Sequence, residues 1–202
     1  SKRVLLQKSI AEEYTNRLIN ALKLLKVCEP HEKECDMGPL VSEQAACEVE
    51  NKVNQTIKQG ARCVFGGKRY NKTYFEPTVL KDVTADMDIA KDMEIFGPVV
   101  PIIEFEENDE AIKIANQTKY GLSGGVIGRD IKAALSTALK LESGTTVVNG
   151  CGDYRTLYTP FGGHKMSGIG TEGLMLTLEE MMLTKCVALK GIVEESVSES
   201  VL

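Results

Sequence analysis

The sequence predicts an α/β domain with three layers, a parallel sheet flanked by helices on both faces, and three observations predict it. Beyond Gly60, short β-prone runs alternate with helical stretches, the order expected of strands joined by crossover helices. The runs at 99–103 and 145–148 are apolar without alternation, as strands covered on both faces must be. The 202 residues, 43% of them hydrophobic, are enough for one well-buried core.

Taken in order, Ser9 with Glu12 reads as a capping box, and Ile10, Tyr14, Leu18, Ala21, Leu22 and Leu25 recur at helical spacing, which predicts an amphipathic helix over 10–26. A polar hinge follows. The second helix is expected over 42–59, with Ala46, Val49, Val53 and Ile57 on one face and Gly60 as its C-terminal cap. Strands are expected at 63–65, 78–80, 99–105, 125–127 and 145–148, with helices near 107–116 and 130–141. Pro101 predicts an edge or a bulge in its strand, because it has no N–H to give to a ladder. Residues 150–173 are glycine-rich and lack periodicity, which makes this long loop the place to look for a site. The stretch 181–193 reads as one more strand, placed to pair with another subunit, and the acidic residues 194–202 as a frayed tail.

Composition excludes several classes of function. A net charge of −5 gives no footprint for nucleic acid, whose phosphates need clustered Lys and Arg. No apolar run approaches the roughly 20 residues that span a bilayer, so no membrane partner is expected. Six cysteines are scattered through a chain too long to need a disulfide framework, so reduced thiols and a cytoplasmic setting are the expectation. Cys28, His31 and Cys35 carry a zinc-like spacing without a second pair of ligands, and no metal site is expected. Gly168-Ile169-Gly170-Thr171-Glu172-Gly173 spells the dinucleotide fingerprint but has no buried strand before it, so it is read as a connecting segment.

Two blocks carry the functional reading. Glu94-Ile95-Phe96-Gly97-Pro98 and Pro160-Phe161-Gly162-Gly163-His164-Lys165-Met166-Ser167-Gly168 together resemble the C-terminal half of an NAD(P)-dependent aldehyde dehydrogenase. The resemblance continues through Asp36-Met37-Gly38-Pro39-Leu40-Val41 and Tyr74-Phe75-Glu76-Pro77-Thr78-Val79, and so covers nearly the whole chain in order. It implies that residues 1–180 are part of the family's catalytic domain and 181–202 an oligomerisation strand and tail. Arg3-Val4-Leu5-Leu6-Gln7 resembles the segment just after the family's Gly-Gln-x-Cys motif, which implies that the nucleophilic cysteine and the water-activating glutamate precede Ser1.

By the same resemblance, Glu94 accepts hydrogen bonds from the nicotinamide-ribose hydroxyls of NAD or NADP, and Phe96 packs beside the nicotinamide. Residues 149–163 resemble the loop lining the aldehyde pocket, so Cys151, Asp153, Tyr154, Arg155 and Phe161 are the expected substrate contacts. Arg155 aligns with an arginine of members that act on small aldehydes bearing a carboxylate or phosphate, groups that a guanidinium binds bidentately. In the family a cysteine thiolate attacks the aldehyde, hydride passes from the thiohemiacetal to the cofactor, and water releases the acid. The resemblance implies a homodimer or homotetramer. Two readings from other classes stand beside it: Cys151 and His164 as a thiol-based catalytic pair, and the chain as a non-catalytic assembly module.

Overall fold

The computed structural model of the chain describes residues 2–191. In order the elements are β1 (Val4–Gln7), α1 (Lys8–Leu22), α2 (Glu43–Lys58), β2 (Arg62–Phe65), β3 (Arg69–Tyr70), β4 (Tyr74–Phe75), β5 (Thr78–Lys81), β6 (Val99–Phe105), α3 (Asn108–Asn116), β7 (Tyr120–Gly121), β8 (Ser123–Val126), α4 (Ile131–Ala138), β9 (Thr145–Val148), β10 (His164–Lys165) and α5 (Leu174–Glu180). The main sheet has the order β1-β6-β5-β2.

Period-two alternation in this sheet builds the three layers. Leu80 and Ile103 turn to one face, where Val49 and Val53 of α2 and Ile114 of α3 close over them. Val79 and Ile102, one residue away on the same strands, turn to the other face with Leu6 and meet Ala11 of α1. Each fully buried Ile or Leu there contributes about 1.5–3 kcal/mol by leaving water.

The sheet is mixed where a parallel one was expected. β6 runs parallel to both β1 and β5, but β2 is antiparallel to β5. Between β2 and β5 lie only β3 and β4, themselves an antiparallel pair, and without a crossover helix the chain cannot return in parallel. β8 and β9 form a separate parallel pair, against which α4 packs.

Pro101 is neither at an edge nor in a bulge, because β6 lies between β1 and β5. Pairing with β5 ends at Pro101 and pairing with β1 begins at Ile102, so the missing N–H falls where one ladder hands over to the other.

α1 also departs from expectation. It begins at Lys8 directly from β1, its N-cap is Gln7 with no side-chain hydrogen bond, and it ends at Leu22. Ala11 and Thr15 are its buried residues, while Ile10 and Tyr14 are 50% and 41% exposed. Small side chains let the helix lie close to the sheet, and the Thr15 hydroxyl donates to the Ala11 carbonyl instead of remaining unpaired. Lys81 pins this helix from below through an ion pair with Glu12 at 2.7 Å.

α2 matches its expected start, with Ser42 Oγ accepting from the Ala45 amide, and Gly60 takes the left-handed conformation just beyond its end. Thr56 replaces Ile57 on the buried face. Residues 183–190, expected as a strand, take no regular secondary structure, and residues 192–202 lie outside the described part. No helix among the described residues is long and apolar enough to cross a membrane.

Candidate functional site

Glu94 and Phe96 sit on the segment between the 3-10 turn at Asp88–Ala90 and β6. The Glu94 side chain is exposed, and Phe96 is 78% exposed. Both side chains are therefore offered to solvent rather than to the core.

Two contacts from α2 hold this segment. Lys52 Nζ donates to the Glu94 carbonyl oxygen at 2.8 Å. One turn earlier on α2, Val49 lies so close under Gly97 that a Cβ there would stand 2.7 Å from Val49 Cγ2 and 3.0 Å from Cγ1. Gly97 is therefore fixed by close approach. On the other side, the Arg3 guanidinium donates to the carbonyls of Ala90, Ile114 and Ala115 and ties the 3-10 turn to α3.

Asp92 extends the support further along the chain. Its carboxylate accepts the Lys119 amide at 2.9 Å and the Thr118 hydroxyl at 3.2 Å. The Lys119 amide, aided by that hydroxyl and by the charges of Lys119 and Lys2, holds the Asp92 carboxyl below its ordinary range. The Lys2 ammonium is buried with no hydrogen-bond partner among the described residues and lies 4.7 Å from the centroid of the Tyr120 ring. Burial and the adjacent Arg3 lower its pKa, while the charges of Glu94 and Asp92 oppose the shift.

The second loop begins where β9 ends. Asn149 takes a left-handed conformation (φ 56), its amide donates to the Val126 carbonyl, and its side-chain oxygen accepts the Gly128 amide. Cys151, Asp153, Tyr154 and Arg155 follow, all exposed. The Arg155 guanidinium carbon lies 3.3 Å from the centroid of the Phe161 ring. Placed over the ring at this distance, the guanidinium has N–H groups at its edge to offer a planar anion.

Phe161 is fixed in turn by a two-way backbone pairing with Glu172, with both N–H to O distances 2.8 Å. A cavity of about 300 Å³ adjoins it, lined by Leu122, Phe161, Gly162, Gly163 and residues 167–172. The backbones of Gly144 and Gly162 touch here, since a Cβ on Gly144 would fall 1.6 Å from the Gly162 carbonyl oxygen.

Of the residues expected at the site, the structure thus brings Arg155 and Phe161 into contact and presents Glu94 and Phe96 on a separate segment. No hydrogen bond among the described residues joins Cys151 to His164, which is exposed and paired through its backbone with Gly121. The fingerprint at 168–173 follows the two-residue exposed strand β10, and α5 opens only at Leu174, which is not the buried strand and helix N-terminus that a pyrophosphate needs. Lys52, Val49, Arg3 and Asp92 lay outside the sequence-based site. Their role is contact with backbone, which leaves no motif.

Comparison with known proteins adds the following. Residues 1–187 match the aldehyde dehydrogenase family. A lactaldehyde dehydrogenase of Methanococcus maripaludis is 38% identical over 189 residues, which cover 94% of this chain and 40% of that protein. Among solved structures, glyceraldehyde-3-phosphate dehydrogenase GapN of Methanocaldococcus jannaschii, complexed with NADP, superposes with a TM-score of 0.82 at 39% identity, covering 89% of this chain and 39% of its own. Aldehyde dehydrogenase 21 of Physcomitrella patens, in complex with the reaction product succinate, superposes with a TM-score of 0.87 at 32% identity, covering 94% and 39%. The chain therefore spans about 40% of the length of the curated relatives it matches.

Proposed function

The chain belongs to the aldehyde dehydrogenase family, and from that premise we propose that these residues form one wall of a cleft in which a small anionic aldehyde is oxidised to its carboxylic acid with NAD or NADP. Glu94 and Phe96 fit the nicotinamide end of the cofactor. The exposed carboxylate, its backbone held by Lys52, accepts from ribose hydroxyls, and the exposed Phe96 ring gives the nicotinamide an apolar face. When bound, the cofactor supplies the hydride acceptor.

Residues 149–161 take the aldehyde, with Cys151, Asp153 and Tyr154 beside it and Arg155 receiving its carboxylate or phosphate. The observation that carries this reading is the stacking of Arg155 on Phe161, which orients the guanidinium edge before substrate arrives. A relative named for glyceraldehyde 3-phosphate and one bound to the product succinate, both anionic, support it, whereas the lactaldehyde of the Methanococcus maripaludis relative's name is uncharged. In the enzyme carrying this segment, Arg155→Ala should raise KM for glyceraldehyde 3-phosphate or succinate semialdehyde about 10- to 100-fold, as expected for losing a hydrogen bond to a charged group. KM for uncharged propanal should stay unchanged. An equal loss with charged and uncharged aldehydes would refute the anionic-substrate assignment.

Because Arg3-Val4-Leu5-Leu6-Gln7 resembles the segment that follows the family's Gly-Gln-x-Cys motif, this reading takes the nucleophilic cysteine and its water-activating glutamate from outside the 202 residues. The 202-residue chain alone should then reduce no NAD(P)+ with any aldehyde, and measurable turnover would overturn that part. The six free thiols suit a cytoplasmic setting, which belongs to the same proposal.

A second reading, an assembly role in a homodimer or homotetramer, is favoured by one observation. Met181, Leu183, Val187 and Leu189 are 78%, 97%, 69% and 78% exposed along a stretch with no strand partner among the described residues. Deleting residues 181–202 should lower the oligomeric mass in light scattering, and an unchanged mass would exclude it.

A further inference from the structure

The connection from α1 to α2 holds a pair of thiols that the cleft does not use. The loop is folded back on itself. The Lys26 carbonyl accepts the amides of Asp36 and Met37 at 3.0 and 3.2 Å, Asp36 Oδ2 accepts the Lys26 amide at 2.8 Å, and Val27 bridges Met37.

The two cysteines lie on opposite arms of this fold. The Cys28 amide donates to the Met37 carbonyl at 3.1 Å, and the Cys35 thiol lies 3.5 Å from the same oxygen. The Cys28 thiol lies 3.6 Å from the Lys26 carbonyl, which the other arm also uses. The Met37 carbonyl thus meets both the Cys28 amide and the Cys35 thiol, which sets the two cysteines close to each other across the loop. Both are half-buried, whereas Cys151 and Cys186 are exposed.

We propose that Cys28 and Cys35 form a redox-active dithiol that closes to a disulfide across this loop when the chain meets a peroxide. The influence of the Cys35 thiol, with burial and the charges of Glu32 and Asp36, pushes the Cys28 thiol up to about 11, which leaves Cys35 as the sulfur that attacks first. The His31 spacing offers zinc as the alternative occupant of this loop, and the test below separates the two.

One sulfur, as thiolate, attacks a peroxide oxygen and breaks the O–O bond, giving a sulfenic acid and, after protonation, water. The second sulfur attacks the sulfenic sulfur, forming the S–S bond and releasing a second water. Two thiols and one hydrogen peroxide become one disulfide and two waters, with two electrons passing from sulfur to oxygen. The product locks the approach to α2, the helix whose Lys52 and Val49 support the segment carrying Glu94.

The test uses the full 202-residue chain exposed to a small excess of hydrogen peroxide, alkylated with N-ethylmaleimide and digested with trypsin. Lys33 lies between the two cysteines, so cleavage there leaves the Cys28 and Cys35 peptides joined only by the new bond. The expected result is that linked pair, with Cys151 and Cys186 alkylated. In Cys28→Ser the linked pair should vanish and dimedone should capture a sulfenic acid on Cys35. Alkylation of both Cys28 and Cys35 after peroxide, or a disulfide from either to Cys151 or Cys186, would overturn the proposal. So would stoichiometric zinc in the purified chain that Cys28→Ser abolishes.

Discussion

Gly97→Ala tests whether α2 sets the position of the Glu94 segment. The backbone at Gly97 is not left-handed, so alanine meets no conformational penalty and even restricts the unfolded chain, worth about 0.4–1 kcal/mol in favour of the variant. The cost is collision. The new Cβ would lie 2.7 Å from Val49 Cγ2, 3.0 Å from Cγ1 and 3.5 Å from Cβ, where carbon atoms prefer about 3.5–4.0 Å. Both methyls of Val49 face Gly97, and a valine in a helix has one strongly preferred rotamer, so rotation gives no escape. Overpacking of this kind costs about 1–3 kcal/mol. Less the unfolded-state gain, Gly97→Ala should destabilise by about 1–2 kcal/mol, lowering Tm by about 2–8 °C for a chain of this size.

Val49→Ala alone should also destabilise, through the cavity it leaves. Combined with Gly97→Ala, the added methyl enters the vacated space, and the pair should cost at least about 1 kcal/mol less than the sum of the singles. Thermal and urea melts of the four proteins decide it. Strict additivity, or a Gly97→Ala variant as stable as the parent, would refute the claim that Val49 dictates a glycine at 97.

Gly144→Ala should be worse, because its Cβ would fall 1.6 Å from the Gly162 carbonyl oxygen and 2.7 Å from its carbon, both backbone atoms with no rotamer to change. A loss above about 3 kcal/mol is expected, with faster proteolysis within residues 150–163, and a parent-like melt and digestion pattern would contradict the contact. Asp92→Asn tests the electrostatic tie to Thr118 and Lys119. Because the folded-state carboxyl titrates below its unfolded value, its contribution is present above the ordinary carboxylate range and is lost as pH falls through the depressed folded value. Urea midpoints followed down from about pH 5 should therefore fall more steeply for the parent than for Asp92→Asn, and parallel curves would show that the shift contributes nothing.

How far the sequence reached depended on the kind of contact. β6 was legible because a continuous apolar run has one economical place, inside a covered sheet, whereas β9 forms a strand as expected but lies half-buried in the two-stranded pair with β8. α2 was legible because Ser42 and Gly60 mark its ends by local chemistry that needs no tertiary context. The buried face of α1 was misread because periodicity weights large side chains, whereas the sheet selected Ala11 and Thr15 for close approach and left Ile10 and Tyr14 outside. Glu94, Phe96 and Arg155 were singled out through resemblance alone. No period or spacing would have separated Glu94 from the many other exposed carboxylates.

The supports of the site escaped notice for a related reason, and they bear on how it works. Asp92, two residues before Glu94, holds Thr118 and Lys119. Tyr120 and Gly121 pair with Lys165 and His164, and the Gly121 amide donates to Ser167 Oγ. Lys165 Nζ then grips the carbonyls of Asn116 and Thr118 and the Glu142 carboxylate. This ladder runs from the Glu94 segment to within three residues of Phe161, on which Arg155 stacks. Most rungs have a backbone atom at one end, while the exposed side chains of Asp92 and Lys165 supply the other. Such an arrangement puts the Glu94 carboxylate and the Arg155 guanidinium, the groups proposed to meet the ribose and an anionic substrate, on one frame.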